Sequence, residues 1–448
     1  MKALATALKA SPEFTELLNR IDGGGCPLVI SGVEAVHAAH LAAAVRVCAG
    51  VPVVVVCPDE LSCERMSANI SALAEEETVR LTAREFTFYN AESVSRELEH
   101  ERLRTLAALA LGKVPLCVAT PDALMQRCAP KNLLLDRAAE LRTGEEFSPD
   151  ALCELLVSAG YKRSAQVEGA GQFARRGGIV DFFSPAHDDP VRVEFFGDEI
   201  DLMGFFDVTS QRRTENTQTA LILPAAETLP QLCAGGEAGF ASGLTALAAR
   251  LRRRKNPPAE LIANIEADIA RLDEGLAFSC SDRYLNVLFG GVSCAVEYIP
   301  EDAVVFLYEP SRLGERAKNY VWRISQDVET LLEARTLADT QTDLFVGWDE
   351  CCEALAEFPV VMADSFRGGT YPLAPRSLLS VTAKQLPSYG GSLQTAAGDI
   401  VHYMKEGYRV VVTCTDERKC GILRDYLESL GVPSSVDTSL ASLPRGGA

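Results

Sequence analysis

The residues best suited to recognition lie between Gly171 and Asp201. The first stretch reads Gly171-Gln172-Phe173-Ala174-Arg175-Arg176-Gly177-Gly178-Ile179-Val180-Asp181-Phe182-Phe183-Ser184-Pro185. The second reads Val191-Arg192-Val193-Glu194-Phe195-Phe196-Gly197-Asp198-Glu199-Ile200-Asp201. Successive side chains of a strand point to opposite faces. Val191, Val193 and Phe195 therefore share an apolar face that meets the core, while Arg192, Glu194 and Phe196 share the other. Gly197-Asp198 suits a tight hairpin turn. Arginine brings a planar donor fork for a carboxylate, phenylalanine brings apolar area, and arginine and aromatic residues dominate interface hot spots. The outward face is a candidate binding surface. The alternative reading is a partly covered phenylalanine beside a surface ion pair.

Other chemistry-bearing residues point less far. Arg250-Leu251-Arg252-Arg253-Arg254-Lys255 is a basic run at the end of an apolar helix expected over residues 237–251. It could meet phosphates, but cations at a helix C-terminus are already favoured by the helix dipole. The net charge of −19 opposes nucleic acid wrapped along the whole chain. The 14 cysteines are scattered with no C-x-x-C pair for zinc, and without a secretion signal they read as buried thiols of a cytoplasmic protein. His37 and His40 read as surface helix residues. No apolar run approaches the roughly 18 residues that span a bilayer, so no membrane role is expected.

The elements that must position these residues are legible in outline. Pro27–Ser31, Val53–Cys57 and Leu116–Thr120 are continuous apolar strands, separated by helices near 34–48, 60–75 and 93–111. That pattern predicts a parallel sheet covered on both faces. Short strands with glycine and proline turns over 164–208 predict a small antiparallel β domain. Helices return after Leu223-Pro224, and the strand Val304–Leu307 could rejoin the first sheet, making the β domain an insertion. From about residue 350 the strands Val360–Met362 and Arg409–Val412 and a helix near 416–430 read as a further α/β unit. The end, Leu443-Pro444-Arg445-Gly446-Gly447-Ala448, carries no structural signal.

The two segments between Gly171 and Asp201 resemble domain 2 of the repair helicase UvrB and of the transcription-repair coupling factors (Mfd). Phe205–Arg212, Leu223-Pro224-Ala225-Ala226-Glu227 and Tyr298-Ile299-Pro300-Glu301-Asp302 are similar to the coupling factors as well, and the resemblance runs from about residue 20 to 435. It implies that this domain docks onto the repair ATPase UvrA. The family's contact positions are the Arg of an Arg-Gly pair, the Arg opening the next strand and the second Phe of a Phe-Phe. Here these are Arg176, Arg192 and Phe196. The fold implied is a UvrB-like, degenerate P-loop NTPase-like parallel-sheet α/β domain with the antiparallel domain inserted, followed by a second small α/β domain. Its expected division is 1–135 and 226–345 for the large domain, 136–225 for the UvrA-binding domain and 346–448 for a last domain of undetermined role.

UvrB carries an intact P-loop after its first strand, where glycines wrap phosphate, a lysine pairs with it and a hydroxyl binds magnesium. The matching place here reads Ser31-Gly32-Val33-Glu34-Ala35-Val36-His37-Ala38, with no lysine and with Glu34 to repel phosphate. A Walker-B strand ends in Asp-Glu; this one ends Leu307-Tyr308-Glu309, and a phenol is a poor magnesium ligand. Gly112-Lys113-Val114 lies at a helix end and makes no P-loop. The expectation is therefore a non-enzymatic docking module with no catalytic residue, cofactor or metal of its own. The family's ATP- and Mg-dependent translocase, and its contacts with RNA polymerase and double-stranded DNA, would belong to parts absent from this chain. A stand-alone regulator competing with UvrB, or a nucleotide-dependent nucleic-acid enzyme, are the alternatives.

Overall fold

The computed structural model describes residues 1–89, 96–276, 278, 280–290, 293–366, 370–383, 386–387, 389–414, 416–437, 440 and 442–443. Fifteen strands occur among the described residues: β1 Leu28–Ser31, β2 Val53–Val56, β3 Val79–Leu81, β4 Leu116–Ala119, β5 Ala139–Arg142, β6 Lys162–Arg163, β7 Gln172–Arg176, β8 Ile179–Phe182, β9 Val191–Phe196, β10 Glu199–Phe206, β11 Arg213–Thr217, β12 Thr219–Ile222, β13 Val304–Tyr308, β14 Val360–Asp364 and β15 Ser377–Ser380.

Seven strands form one sheet in the order β15-β1-β14-β13-β2-β4-β3, and every pairing in it is parallel. Alternation sends Val29, Val54, Val56, Val305, Leu307 and Met362 into one core. Leu28, Ile30, Val53, Val55, Phe306 and Val361 enter the other. Helices Glu97–Ala110, Pro310–Glu333 and Trp348–Leu355 supply side chains to the first core, and Pro12–Asp22, Ala35–Ala49 and Glu60–Ala74 to the second. Both faces are covered, which is why the strands are apolar without interruption. The chain leaves this sheet after β4 and returns at β13, so the antiparallel domain is an insertion.

The tail of the sheet differs from the sequence reading. β14, expected to open a separate unit from residue 346, lies between β1 and β13, where Val361 is opposite both Leu28 and Phe306. β15 then pairs with the other edge of β1. A run apolar on both sides must be buried on both sides, but its composition does not say in which sheet. Arg409–Val412 forms no strand; Val410 packs instead on the small core of Ala397, Ile400, Leu427 and Val432, built by helices Leu393–Lys405 and Glu417–Ser429. The start of the helix expected at residues 93–95, and the terminal residues 444–448, lie outside the described residues.

The inserted domain has a six-stranded sheet in the order β11-β10-β9-β8-β7-β6, antiparallel except where β6 meets β7, and a ribbon of β5 with β12. Its inner face packs Phe173, Val180, Val193 and Met203 against helix Pro149–Ser158 through Leu152 and Leu156.

A buried ionic cluster fastens the chain just past the inserted domain to the first part of the large one. Arg102 Nε donates to Glu227 Oε2 at 3.0 Å, and neither side chain is exposed to any extent. Arg102 Nη1 also donates to the carbonyls of Thr82 (2.9 Å) and Ala123 (2.8 Å). Arg84 forks onto Asp282 with two bonds of 2.8 Å, and its Nε lies 3.3 Å from Glu227 Oε2. Thr228 Oγ1 donates to Asp282 at 2.9 Å. Burial disfavours the Arg84 charge, but Asp282 and Glu227 outweigh it and hold the proton more tightly than usual. The end of the segment Leu223–Glu227, flagged in the sequence by resemblance, thus lies at the centre of a three-way junction.

Candidate partner-binding site

The outward face of the inserted sheet is assembled by two hairpins. β7 and β8 turn at Gly177 (φ 62°), β9 and β10 at Gly197 (φ 66°), a backbone region that glycine enters without strain. Ile179 is opposite Glu194, so both turns lie at the same end of the sheet. Register places Arg176, Ile179, Glu194 and Leu202 in one outward row. The next row holds Ala174, Asp181, Arg192, Gly204 and Asn216.

Phe196 is 81% exposed at the tip, an unusual placement for so large an apolar side chain. Arg176 is also exposed, and its Nη2 donates to the Ala165 carbonyl at 3.0 Å. Arg192 shares this face, as alternation predicts, but it does not stand free in solvent. Its Nε and Nη2 fork onto Asp181 at 2.7 and 2.9 Å, and its guanidinium lies 4.7 Å from the centre of the Phe206 ring. The side chains of Arg192 and Asp181 are 20% and 5% exposed. The bond to Asp181 raises the Arg192 pKa, against the effect of burial. Alternation assigns a face; it cannot reveal that Asp181 and Phe206 come against Arg192 from neighbouring strands.

Two residues the sequence reading left aside occupy the middle of the face. Arg213 reaches across β10 to bond Glu194. It crosses at Gly204, where a Cβ would stand 2.6 Å from the Glu215 carbonyl oxygen, 3.0 Å from Arg213 Nε and 3.1 Å from its Cδ. A glycine in mid-strand is the available signal: it marks a close approach.

At the C-terminal edge of the large sheet, where open α/β folds place their ligands, the turn after β1 is filled by its own chain. Val33 N donates to Asp364 O at 3.1 Å and Val381 N to Ser31 O at 2.9 Å. A Cβ on Gly32 would stand 2.3 Å from the Val381 carbonyl oxygen. Glu34 precedes helix Ala35–Ala49 and is exposed, its N–H donating to His37 Nδ1 at 3.2 Å. Tyr308 is 5% exposed; burial, then the neighbouring Glu309 and Glu34, push its hydroxyl pKa well up. The nearby cation Arg312 is bonded to Glu309 and, at 2.9 Å, to Asp59. His40, expected at the surface, is part-buried and bonded to the Leu4 carbonyl at 2.8 Å, and burial lowers its pKa. Of the cysteines, Cys414 is exposed rather than buried.

The basic run is largely occupied. Arg250 donates to Thr340 Oγ1 at 3.1 Å, Arg254 to Asp339 at 2.6 Å, and Arg252 pairs with Glu266. With its charges so spent on a chain of net −19, DNA retention in a low-salt gel shift is expected to be slight, weaker than the usual non-specific range of about 10⁻⁴–10⁻⁶ M. Tight binding that falls steeply with salt would assign this run to phosphate contact.

The UvrB interaction domain family matches residues 139–227, the segment that carries this face. The chain is 24% identical over 450 residues to the transcription-repair-coupling factor of Bacillus subtilis (strain 168), a match covering 100% of this chain and 38% of that protein. It is 25% identical over 349 residues to that of Staphylococcus aureus (strain USA300), covering 76% of this chain and 29% of that protein. It is likewise 25% identical over 346 residues to that of Staphylococcus haemolyticus (strain JCSC1435). The chain thus spans between 29% and 38% of the length of these relatives. Residues 139–227 are thus similar to a UvrB interaction domain, and the chain is similar to the N-terminal part of the transcription-repair-coupling factors.

Proposed function

We propose that this chain is a docking module that binds UvrA through Arg176, Arg192 and Phe196 and so links stalled RNA polymerase to excision repair in the cytoplasm. The observation that carries this reading is Phe196, 81% exposed at the tip of the segment matched by the UvrB interaction domain, on the same face as the exposed Arg176. A solvent-facing phenylalanine contributes nothing to the core and supplies apolar area to a partner. Pull-down of purified UvrA by this chain tests it: retention is expected, and its absence at micromolar concentrations overturns the reading.

In this reading the large α/β domain holds the docking domain in place and does not process nucleotide. Three features support that: the Val381 carbonyl packed against Gly32, the carboxylates Glu34 and Glu309 at the sheet edge, and a buried Tyr308 where a magnesium ligand would be needed. Polymerase contact and ATP-driven movement on DNA would fall to sequence outside these residues. Calorimetric titration with millimolar Mg-ATP is expected to give no heat of binding. A dissociation constant in the micromolar range would favour the rival reading, a nucleotide-dependent nucleic-acid enzyme. No helix among the described residues is long and apolar enough to cross a membrane.

A further inference from the structure

The arginines of the outward face are not equivalent. Arg192 has committed its fork to its cross-strand neighbour Asp181, with two bonds shorter than 3 Å. Arg176 gives one donor to a backbone carbonyl. Arg213 gives one nitrogen to Glu194 and approaches Asn216 Oδ1 only at 3.5 Å. A guanidinium carries five N–H donors in a plane. Arg176 and Arg213 therefore keep donors to spare, while Arg192 offers mainly its stacked plane.

Their positions complement one another. The Arg213 stem lies along the gap left by Gly204 and its head meets Glu194, the residue between Arg192 and Phe196 on β9. Arg176 stands on β7, two to three strand spacings away, about 10–14 Å. Between them lie part-buried Ile179 and Leu202, with exposed Phe196 at the tip. Three arginines share the face with Asp181 and Glu194, and the exposed Glu199 lies opposite Phe196 in register on β10. The arginines of β7, β9 and β11 thus flank an apolar centre, with a carboxylate of this chain beside its tip.

We propose that Arg213 is a further contact residue of the docking face, taking a carboxylate of the protein partner on the side of Phe196 away from Arg176. Glu194 acts as its tether, holding the long side chain flat across Gly204 so that less rotamer freedom is lost on binding. The partner surface that fits is an apolar socket for Phe196 flanked by acidic side chains on both sides. This rests on the reading of the face as the UvrA site.

The test is UvrA binding by the full 448-residue chain carrying Arg213→Ala, Glu194→Gln or Phe196→Ala, with a melting curve for each. Arg213→Ala is expected to weaken binding about tenfold with an unchanged melting temperature. Glu194→Gln, which keeps a hydrogen-bond acceptor and releases charge from Arg213, is expected to stay within about twofold of the parent. Arg213→Ala binding like the parent while Phe196→Ala fails would overturn the proposal alone. So would the double variant Arg213→Ala/Glu194→Gln binding like the parent, because Arg213 would then act only by neutralising Glu194. Failure of the parent chain to bind UvrA, or indifference to Phe196→Ala, would remove the docking reading and this proposal with it.

Discussion

Joint replacement of Arg176 and Phe196 by alanine is expected to abolish UvrA binding and leave the melting temperature where it was. Both side chains stand in solvent in the free protein, so folding loses little when they are cut back. At an interface, truncating a hot-spot residue costs roughly 2 kcal/mol or more, about thirtyfold in affinity. Two such losses, if additive, reach about a thousandfold. Calorimetry with purified UvrA beside a circular-dichroism melt checks both halves. Undiminished affinity would refute the site, and a collapsed melt would make the residues structural.

Arg192→Ala is expected to behave differently. Removing the guanidinium leaves Asp181, a side chain 5% exposed, without its fork. A buried polar group deprived of its partner costs about 1–3 kcal/mol. Affinity lost by this variant has to be read with its stability. Replacing Asp181 and Arg192 together by residues that need no partner is expected to recover part of the melting temperature without recovering binding.

The second large effect is expected far from the docking face. Glu227→Ala should destabilise the protein by about 3–5 kcal/mol, the usual cost of breaking a buried ion pair from one side. It would strand Arg102, whose side chain is wholly buried. Arg102 Nη2 and Glu227 Oε1 have no hydrogen-bond partner among the described residues even in the intact cluster, so the cluster adds little net stability while remaining costly to break. Against a total of about 5–15 kcal/mol for a typical domain, the loss should appear as a large fall in the urea midpoint. A variant within about 1 kcal/mol of the parent would mean that the apolar cores alone hold this junction together.

Much of this was legible from residue order. Continuous apolar runs identified β1, β2, β4 and β13 as strands of a covered parallel sheet, and alternation along Val191–Phe196 separated core side chains from outward ones. What escaped was whatever depends on contacts between distant segments. Nothing near Asp181 announces that it will lie beside Arg192, and Arg102, Glu227, Arg84 and Asp282 look like ordinary surface charges until folding buries them together. Arg213 was overlooked because its role comes from an absent side chain one strand away, at Gly204.

The placement of β14 and β15 has a consequence for how the protein can be made and divided. β1 ends at Ser31, and both of its neighbours come from beyond residue 359. On a ribosome adding about 5–20 residues per second, the wait for a first partner is roughly a quarter of a minute to a minute. Throughout that interval both edges of an apolar strand stay open, the condition that invites pairing with the wrong chain. A piece cut at residue 345 would remain in that state permanently, whereas one extended through Val381 would close the sheet. Shortened versions for binding work should therefore either keep everything through that strand or discard the parallel sheet altogether.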